Sequence, residues 1–64
     1  MSQKIGENAG LVWNALQQGG LGLKGLKKAT KLKNEDLYLA LGWLAREDKL
    51  ALSEQDGELF IALA

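Results

Sequence analysis

Apolar residues recur at helical spacing in two long segments of the chain. The first segment runs from about Lys4 to Gln18 and stops at a pair of glycines, which are expected just past a helix C-terminus. The second runs from Asn34, a residue type suited to the N-cap position, to about Asp48. Their predicted core stripes are Ile5, Ala9, Val12 and Leu16 in the first helix, and Leu37, Ala40, Leu41 and Leu44 in the second.

The segment between these helices predicts a short bridge and a small helix. Leu21-Gly22-Leu23 is an extended piece, too short for more than a bridge to another strand. A helix from about Lys24 to Thr30 or Lys31 follows, and it is expected to bury Leu23, Leu26 and Ala29. A glycine inside this helix costs about 1 kcal/mol relative to alanine, so the helix should depend on tertiary packing.

Two strand candidates end the chain. They cover residues 50–54 and 58–63 and flank Gln55-Asp56-Gly57, whose Asp-Gly pair is typical of a tight hairpin. The predicted order is therefore helix, short strand, helix, turn, helix, hairpin. This order is the layout of a winged helix-turn-helix, so we predict a single α+β domain over residues 1–64, with three helices and a small antiparallel sheet.

The sequence also resembles a known group of proteins. IGENAGLVWNAL and LKGLKKATKLKNEDLYLALGWLARE are similar to a small bacterial family of stand-alone winged helix-turn-helix domains of uncharacterised function. The resemblance covers essentially the whole chain and implies the fold more than a biochemical role. Two positions depart from the usual pattern, because Lys31 and Asp48 stand where such domains normally take glycine. A positive φ at Lys31 would cost on the order of 1 kcal/mol.

Composition argues against catalysis and against a metal or cofactor site. The chain has no cysteine and no histidine, so it lacks the thiolate and imidazole groups that most often bind metals or activate nucleophiles. We therefore expect no enzyme activity, no cofactor and no small-molecule ligand. No apolar run approaches the roughly 18 residues of a membrane span, and no secretory signal is visible. We expect a cytoplasmic protein with no membrane partner.

The charges balance but are segregated along the chain. Eight basic residues offset eight acidic ones, and five of the basic residues lie in a ten-residue stretch that contains no acid. These five are Lys24, Lys27, Lys28, Lys31 and Lys33. Since the first helix of a helix-turn-helix pair crosses the DNA backbone, one hypothesis is a nucleic-acid-binding regulator with these lysines on phosphates and Arg46 assisting. The alternative is a solvated helix face that only keeps the domain soluble.

The third predicted helix favours a different function. Its second side presents Leu39, Gly42 and Trp43, and two acids lie at the end that would enter a DNA groove. The hairpin is acidic as well, which is unfavourable for a DNA-binding wing. The second hypothesis is therefore a protein-interaction or homodimerisation module that uses these three residues, extended by Phe60. The competing explanation is that Trp43 covers the second helix or the hairpin of its own chain.

Overall fold

The order of elements agrees with the sequence prediction. The computed structural model describes the backbone of residues 2–64 and the side chains of residues 4–64. The elements are α1 (Ser2–Ala15), β1 (Leu21–Gly22), α2 (Leu23–Thr30), α3 (Asn34–Arg46), β2 (Leu50–Gln55) and β3 (Glu58–Leu63). Two predicted helix ends are too late: residues 16–18 form turns rather than helix, and α3 ends two residues before Asp48.

The three strands form one antiparallel sheet in the order β1-β3-β2. β1 lies on β3 through the pairs Leu21–Ile61 and Gly22–Phe60. β2 and β3 form a hairpin around Asp56 and Gly57, whose φ angles are 52° and 78°. Positive φ at both central residues is the requirement of a type I′ turn, so the predicted Asp-Gly hairpin is confirmed.

The core lies between the helices and one face of the sheet. Its buried members are Ala9, Val12, Leu16, Leu26, Leu37, Ala40, Leu41, Leu44 and Ile61. The whole predicted stripe of α3 is therefore buried, whereas Ile5 of the predicted α1 stripe is half-buried. The prediction that Ala29 is buried is wrong, because Leu23 and Leu32 flank Leu26 on the core and Ala29 faces solvent.

Both unusual non-glycine positions have a left-handed backbone. Lys31 has φ 58° and Asp48 has φ 57°, and each closes a helix. The N–H of Asp48 bonds to the carbonyl of Ala45, and that of Lys49 to Leu44, both at 3.0 Å. These two bonds form a Schellman motif, in which glycine is usual at the left-handed position. The positive φ considered for Lys31 is therefore found at both sites, and a side chain in this conformation costs on the order of 1 kcal/mol.

The start of α3 differs from the prediction by one residue. Asn34 is already helical, and Lys33 is the N-cap, with φ −66° and ψ 156°. The backbone explains this, because the N–H of Leu37 bonds to the carbonyl of Lys33 at 2.8 Å and so makes Lys33 the first acceptor of the helix. No side chain caps the helix, so the prediction of Asn34 as a capping residue is wrong.

Candidate functional surfaces

The five predicted lysines all lie exposed on α2 and on the turn that follows it. This lysine surface consists of Lys24, Lys27, Lys28, Lys31 and Lys33. On α2, the lysines surround the side opposite Leu26, which is fully buried. The left-handed backbone of Lys31 then ends the helix, so Lys33 lies at the start of α3. The turn therefore extends the lysine surface from one helix to the next.

Acidic residues of the hairpin border the lysine surface at one end. The backbone N–H of Lys24 donates to Oε2 of Glu58 at 3.4 Å. Asp56 and Glu58 also share a shallow groove with Lys24. These two carboxylates offset positive charge at the beginning of α2. The strongest positive potential is therefore expected toward the end of α2 and the turn, at Lys27, Lys28 and Lys31.

Arg46 lies away from the lysines. It is an exposed residue at the last position of α3. At a rise of 1.5 Å per residue, it is about 20 Å along the helix from Lys33. Arg46 instead lines a groove of about 320 Å³ with Leu39, Gly42 and Trp43. The structure therefore groups it with the second set of predicted site residues rather than with the lysines.

The side of α3 opposite the core is mostly apolar and open to solvent. The outer face of α3 consists of Glu35, Tyr38, Leu39, Gly42, Trp43 and Arg46. Tyr38 is 53% exposed, Leu39 51% and Trp43 43%. Sequence reasoning missed Tyr38, although its position four residues before Gly42 places it on the same side of the helix. Ile5 of α1 lines the same groove.

Trp43 is only partly covered by its own chain. Its indole shares a second groove with Trp13 and Gly10 of α1, on the side of α3 that packs against α1. Neither α2 nor the wing hairpin lines either of the two grooves that Trp43 borders. Trp43 keeps 43% of its surface exposed. Packing against its own chain therefore explains the position of only part of the indole, and the rest is open to solvent.

The two acids in the first turn of α3 point in different directions. Oδ2 of Asp36 lies 3.8 Å from Nζ of Lys4 on α1, and this is the one ion pair among the side chains of residues 4–64. Glu35 is fully on the exposed side of the helix. Both acids interact favourably with the helix dipole, because its positive end lies at the N-terminus of α3. Only Glu35 contributes negative charge to the outer face.

Phe60 lies in another part of the molecule from the outer face. It lines a groove with Gly22, Asp56 and Glu58 at the β1–β3 edge. Its ring lies directly against Gly20, where an added Cβ would overlap it. The structure therefore does not bring Phe60 together with Leu39 or Trp43, and it packs on the chain that leads into β1.

Residues 2–64, as far as the structure describes them, contain no group of three or more acidic, cysteine or histidine side chains that could hold a metal ion. Within the same described part, no helix is long and apolar enough to cross a membrane.

The sequence itself assigns the chain to a family. Residues 1–63 match the model of the winged helix-turn-helix domain known as DUF2582. The chain belongs to this family. An uncharacterised protein of Methanocaldococcus jannaschii, MJ1608, is 35% identical in an alignment of 63 positions that covers 94% of this chain and 90% of that protein.

Solved structures show the same fold. Protein BT2368 from Bacteroides thetaiotaomicron is 35% identical, with a TM-score of 0.84 over 95% of this chain and 76% of that one. HlyU from Vibrio cholerae is 21% identical, with a TM-score of 0.82 over 91% of this chain and 63% of that one. At that identity, the likeness to HlyU concerns the fold alone.

Membership in DUF2582 gives each element its place in the winged helix-turn-helix. α2 and α3 form the helix-turn-helix pair, and β2 and β3 form the wing. The lysine surface therefore lies on the first helix of the pair and on its turn. The outer face lies on the helix that enters the major groove in DNA-binding proteins of this architecture.

Proposed function

We propose that this DUF2582 domain is a non-catalytic nucleic-acid-binding module that holds the phosphate backbone of duplex DNA through its lysine surface. The observation that carries the proposal is the exposure of five lysines over residues 24–33, a stretch without a single acid. In a helix-turn-helix, the first helix of the pair crosses the DNA backbone, and these lysines lie on that helix and its turn. Lysine contacts to phosphate release counterions and supply affinity that does not depend on sequence.

The chemistry of α3 limits the proposal to backbone contacts. Base readout in the major groove uses Arg, Lys, Asn or Gln, mostly near the N-terminal end of the recognition helix. The outer face has Glu35 at that end and Leu39 with Gly42 in its middle. Because Arg46 is about 20 Å from Lys33, it is not included among the proposed phosphate contacts. Binding is therefore expected to show little preference between DNA sequences.

The charge of the wing is a second reason to limit the proposed DNA contacts to the lysine surface. Glu54, Asp56 and Glu58 place carboxylates along the hairpin, and phosphate would be repelled by them. The affinity of the whole domain is therefore expected to be modest, in the range of about 10⁻⁴–10⁻⁶ M at physiological salt that is typical of non-specific binding.

A titration at several salt concentrations tests the proposal. Fluorescently labelled duplex DNA is titrated with the domain, starting at about 50 mM salt, and log K is plotted against log salt. Four or five phosphate contacts predict a slope of about −4. The Lys27→Gln, Lys28→Gln double variant should reduce the slope by about 2.

Lys49→Gln is the matched control, since Lys49 is an exposed lysine outside the lysine surface. It should leave the slope nearly unchanged. The proposal fails if the domain shows no binding at low salt, or if both variants change the slope equally.

A further inference from the structure

The residues of the outer face of α3 lie at symmetric positions along the helix. Each of its residues has a partner at equal distance from the midpoint between residues 40 and 41. The pairs are Glu35 with Arg46, Tyr38 with Trp43, and Leu39 with Gly42. Two pairs are complementary, an acid with a base and a large side chain with a glycine, and the third consists of two aromatic rings, one on each flank of the face.

We propose that α3 pairs with α3 of a second copy of this chain, antiparallel and around a twofold axis that lies between the two helices, level with that midpoint. A twofold interface uses the same patch on both copies, so every contact occurs twice. In this register, Leu39 faces Gly42 of the partner, and Gly42 faces Leu39 of the partner. The proposal concerns association of the protein with itself and does not rest on nucleic-acid binding.

The Leu39–Gly42 pair supplies the close approach at the centre. Leu39 is 51% exposed, and a Cβ added to Gly42 would meet nothing within 4 Å in its own chain. Glycine in a helix interior is less favourable than alanine by about 1 kcal/mol, and no contact inside this chain requires it at position 42. A second helix would use the open space, because the absence of a side chain there lets a leucine of the partner reach the backbone.

The aromatic pair covers the flanks of the same contact. Tyr38 and Trp43 are 53% and 43% exposed, and both line the groove along α3 with Ile5 of α1. Tyrosine and tryptophan are enriched at the centres of protein interfaces. Tyr38 and Trp43 are about 140° apart around the helix, so they lie on opposite flanks of the outer face. In the antiparallel register, each ring lies beside the same ring of the partner, and both exposed rings become covered.

The charges at the two ends select an antiparallel second copy over other arrangements. Glu35 lies in the first turn of α3 and Arg46 in its last turn. Antiparallel pairing places each glutamate opposite the partner's arginine, whereas parallel pairing would place like charges together. The two residues are about 16 Å apart along the helix, so a shallow crossing of about 20° keeps both ends within reach. This self-complementarity is what identifies a second copy of the chain as the occupant.

Charge exchange tests the register directly. In sedimentation equilibrium, wild-type protein is expected to show a monomer–dimer equilibrium between micromolar and millimolar concentrations. Glu35→Arg and Arg46→Glu should each weaken the dimer by about tenfold or more, because each places like charges at both ends of the interface. The double variant exchanges both signs and should restore dimerisation to within about threefold of wild type.

Two further variants separate association from folding. Glu7→Arg makes the same change of charge on an exposed residue of α1 and should leave the dimer unchanged. Gly42→Leu fills the open space and should abolish the dimer, while the monomer becomes no less stable because leucine is the better helix former. The thermal transition of Gly42→Leu, measured by circular dichroism, checks this second expectation.

Three results would overturn the proposal. The first is a wild-type protein that remains monomeric up to about 1 mM, which would leave the outer face to a different partner or to none. The second is a dimer that Gly42→Leu does not weaken, which would place the interface elsewhere. The third is a Glu35→Arg, Arg46→Glu double variant that dimerises no better than the single variants.

Discussion

Glu58 caps α2 from the other end of the chain: its Oε2 atom accepts the backbone N–H of Lys24 at 3.4 Å. α2 lacks a local cap because its N-cap residue, Gly22, has no side chain that could accept a hydrogen bond. The sheet brings Glu58 into place, since Gly22 pairs with Phe60 and Glu58 lies two residues before Phe60 on the same strand. A carboxylate at this helix end also interacts favourably with the helix dipole.

Removal of this carboxylate should destabilise the fold modestly. Glu58→Ala is expected to lower the free energy of unfolding by about 0.5–1 kcal/mol, the low end of capping effects, because the hydrogen bond is long and exposed. Glu54→Ala removes an exposed acid of β2 that makes no such bond and should change stability by less. Urea unfolding of the two variants, followed by circular dichroism, makes the comparison. Equal effects of both variants would contradict a capping role.

A second substitution at Glu58 connects the cap with the proposed function. Glu58→Gln retains a side-chain acceptor but removes a negative charge beside the lysine surface. DNA affinity at low salt should therefore increase, by more than it does for Glu47→Gln, which removes an exposed acid at the end of α3. The fluorescence titration described above measures both variants. A decrease for Glu58→Gln would show that the lysine surface does not hold the DNA.

The left-handed lysine in the helix-turn-helix turn should be strained. Lys31→Gly is expected to raise the free energy of unfolding by about 1 kcal/mol, because glycine adopts φ 58° without a steric penalty. Lys31→Ala keeps the penalty and should gain little. Lys28→Gly, inside α2, should lower stability by about 1 kcal/mol. Thermal unfolding resolves these differences, since 1 kcal/mol shifts Tm by about 4–8 °C in a domain of this size.

Local sequence signals predicted the elements, but not how distant elements meet. Leu37 and Leu44 are buried because helical spacing already places them on one side, and the Asp56-Gly57 hairpin follows from turn chemistry alone. The contact of Glu58 with α2 depends on the pairing of β1 with β3, which no local pattern encodes. The prediction of Asn34 as the N-cap is wrong for a similar reason. Its residue type suits a cap, but the turn before α3 makes Lys33 the N-cap.

For the candidate surfaces too, the sequence predicted which residues are exposed but not which distant residues they contact. Exposure of the lysines and of Leu39 could be predicted, because helical angles separate them from the core stripes. The position of Phe60 could not be predicted, because alternation along β3 shows which side of the strand it occupies but not what lies there. In the structure, that neighbour is Gly20, in the chain that leads into β1.

Substitution by alanine should change the stability of the domain in opposite directions at Gly20 and at Gly10. A Cβ on Gly20 would overlap the ring of Phe60 and lie 3.1 Å from the carbonyl oxygen of Ile61, so Gly20→Ala should cost about 1–3 kcal/mol. A Cβ on Gly10, in the middle of α1, would meet nothing within 4 Å. Gly10→Ala should therefore stabilise the domain by up to about 1 kcal/mol. Denaturant unfolding checks both, and a stabilising Gly20→Ala would contradict the observed packing of Phe60.

The lysine surface and the outer face of α3 share no residue, so both can be occupied at once when the lysines contact phosphates and α3 stays outside the major groove. Gly42→Leu, which is expected to abolish dimerisation, should therefore leave the number of phosphate contacts per chain unchanged. On a duplex of about 10 base pairs, long enough for one domain, its salt slope should equal that of wild type. On a duplex of about 30 base pairs, wild type should bind more tightly than Gly42→Leu, because a dimer can engage the same DNA with two lysine surfaces. If the outer face of α3 instead entered the major groove, Gly42→Leu would weaken binding to the short duplex as well, and the comparison of the two lengths distinguishes these arrangements.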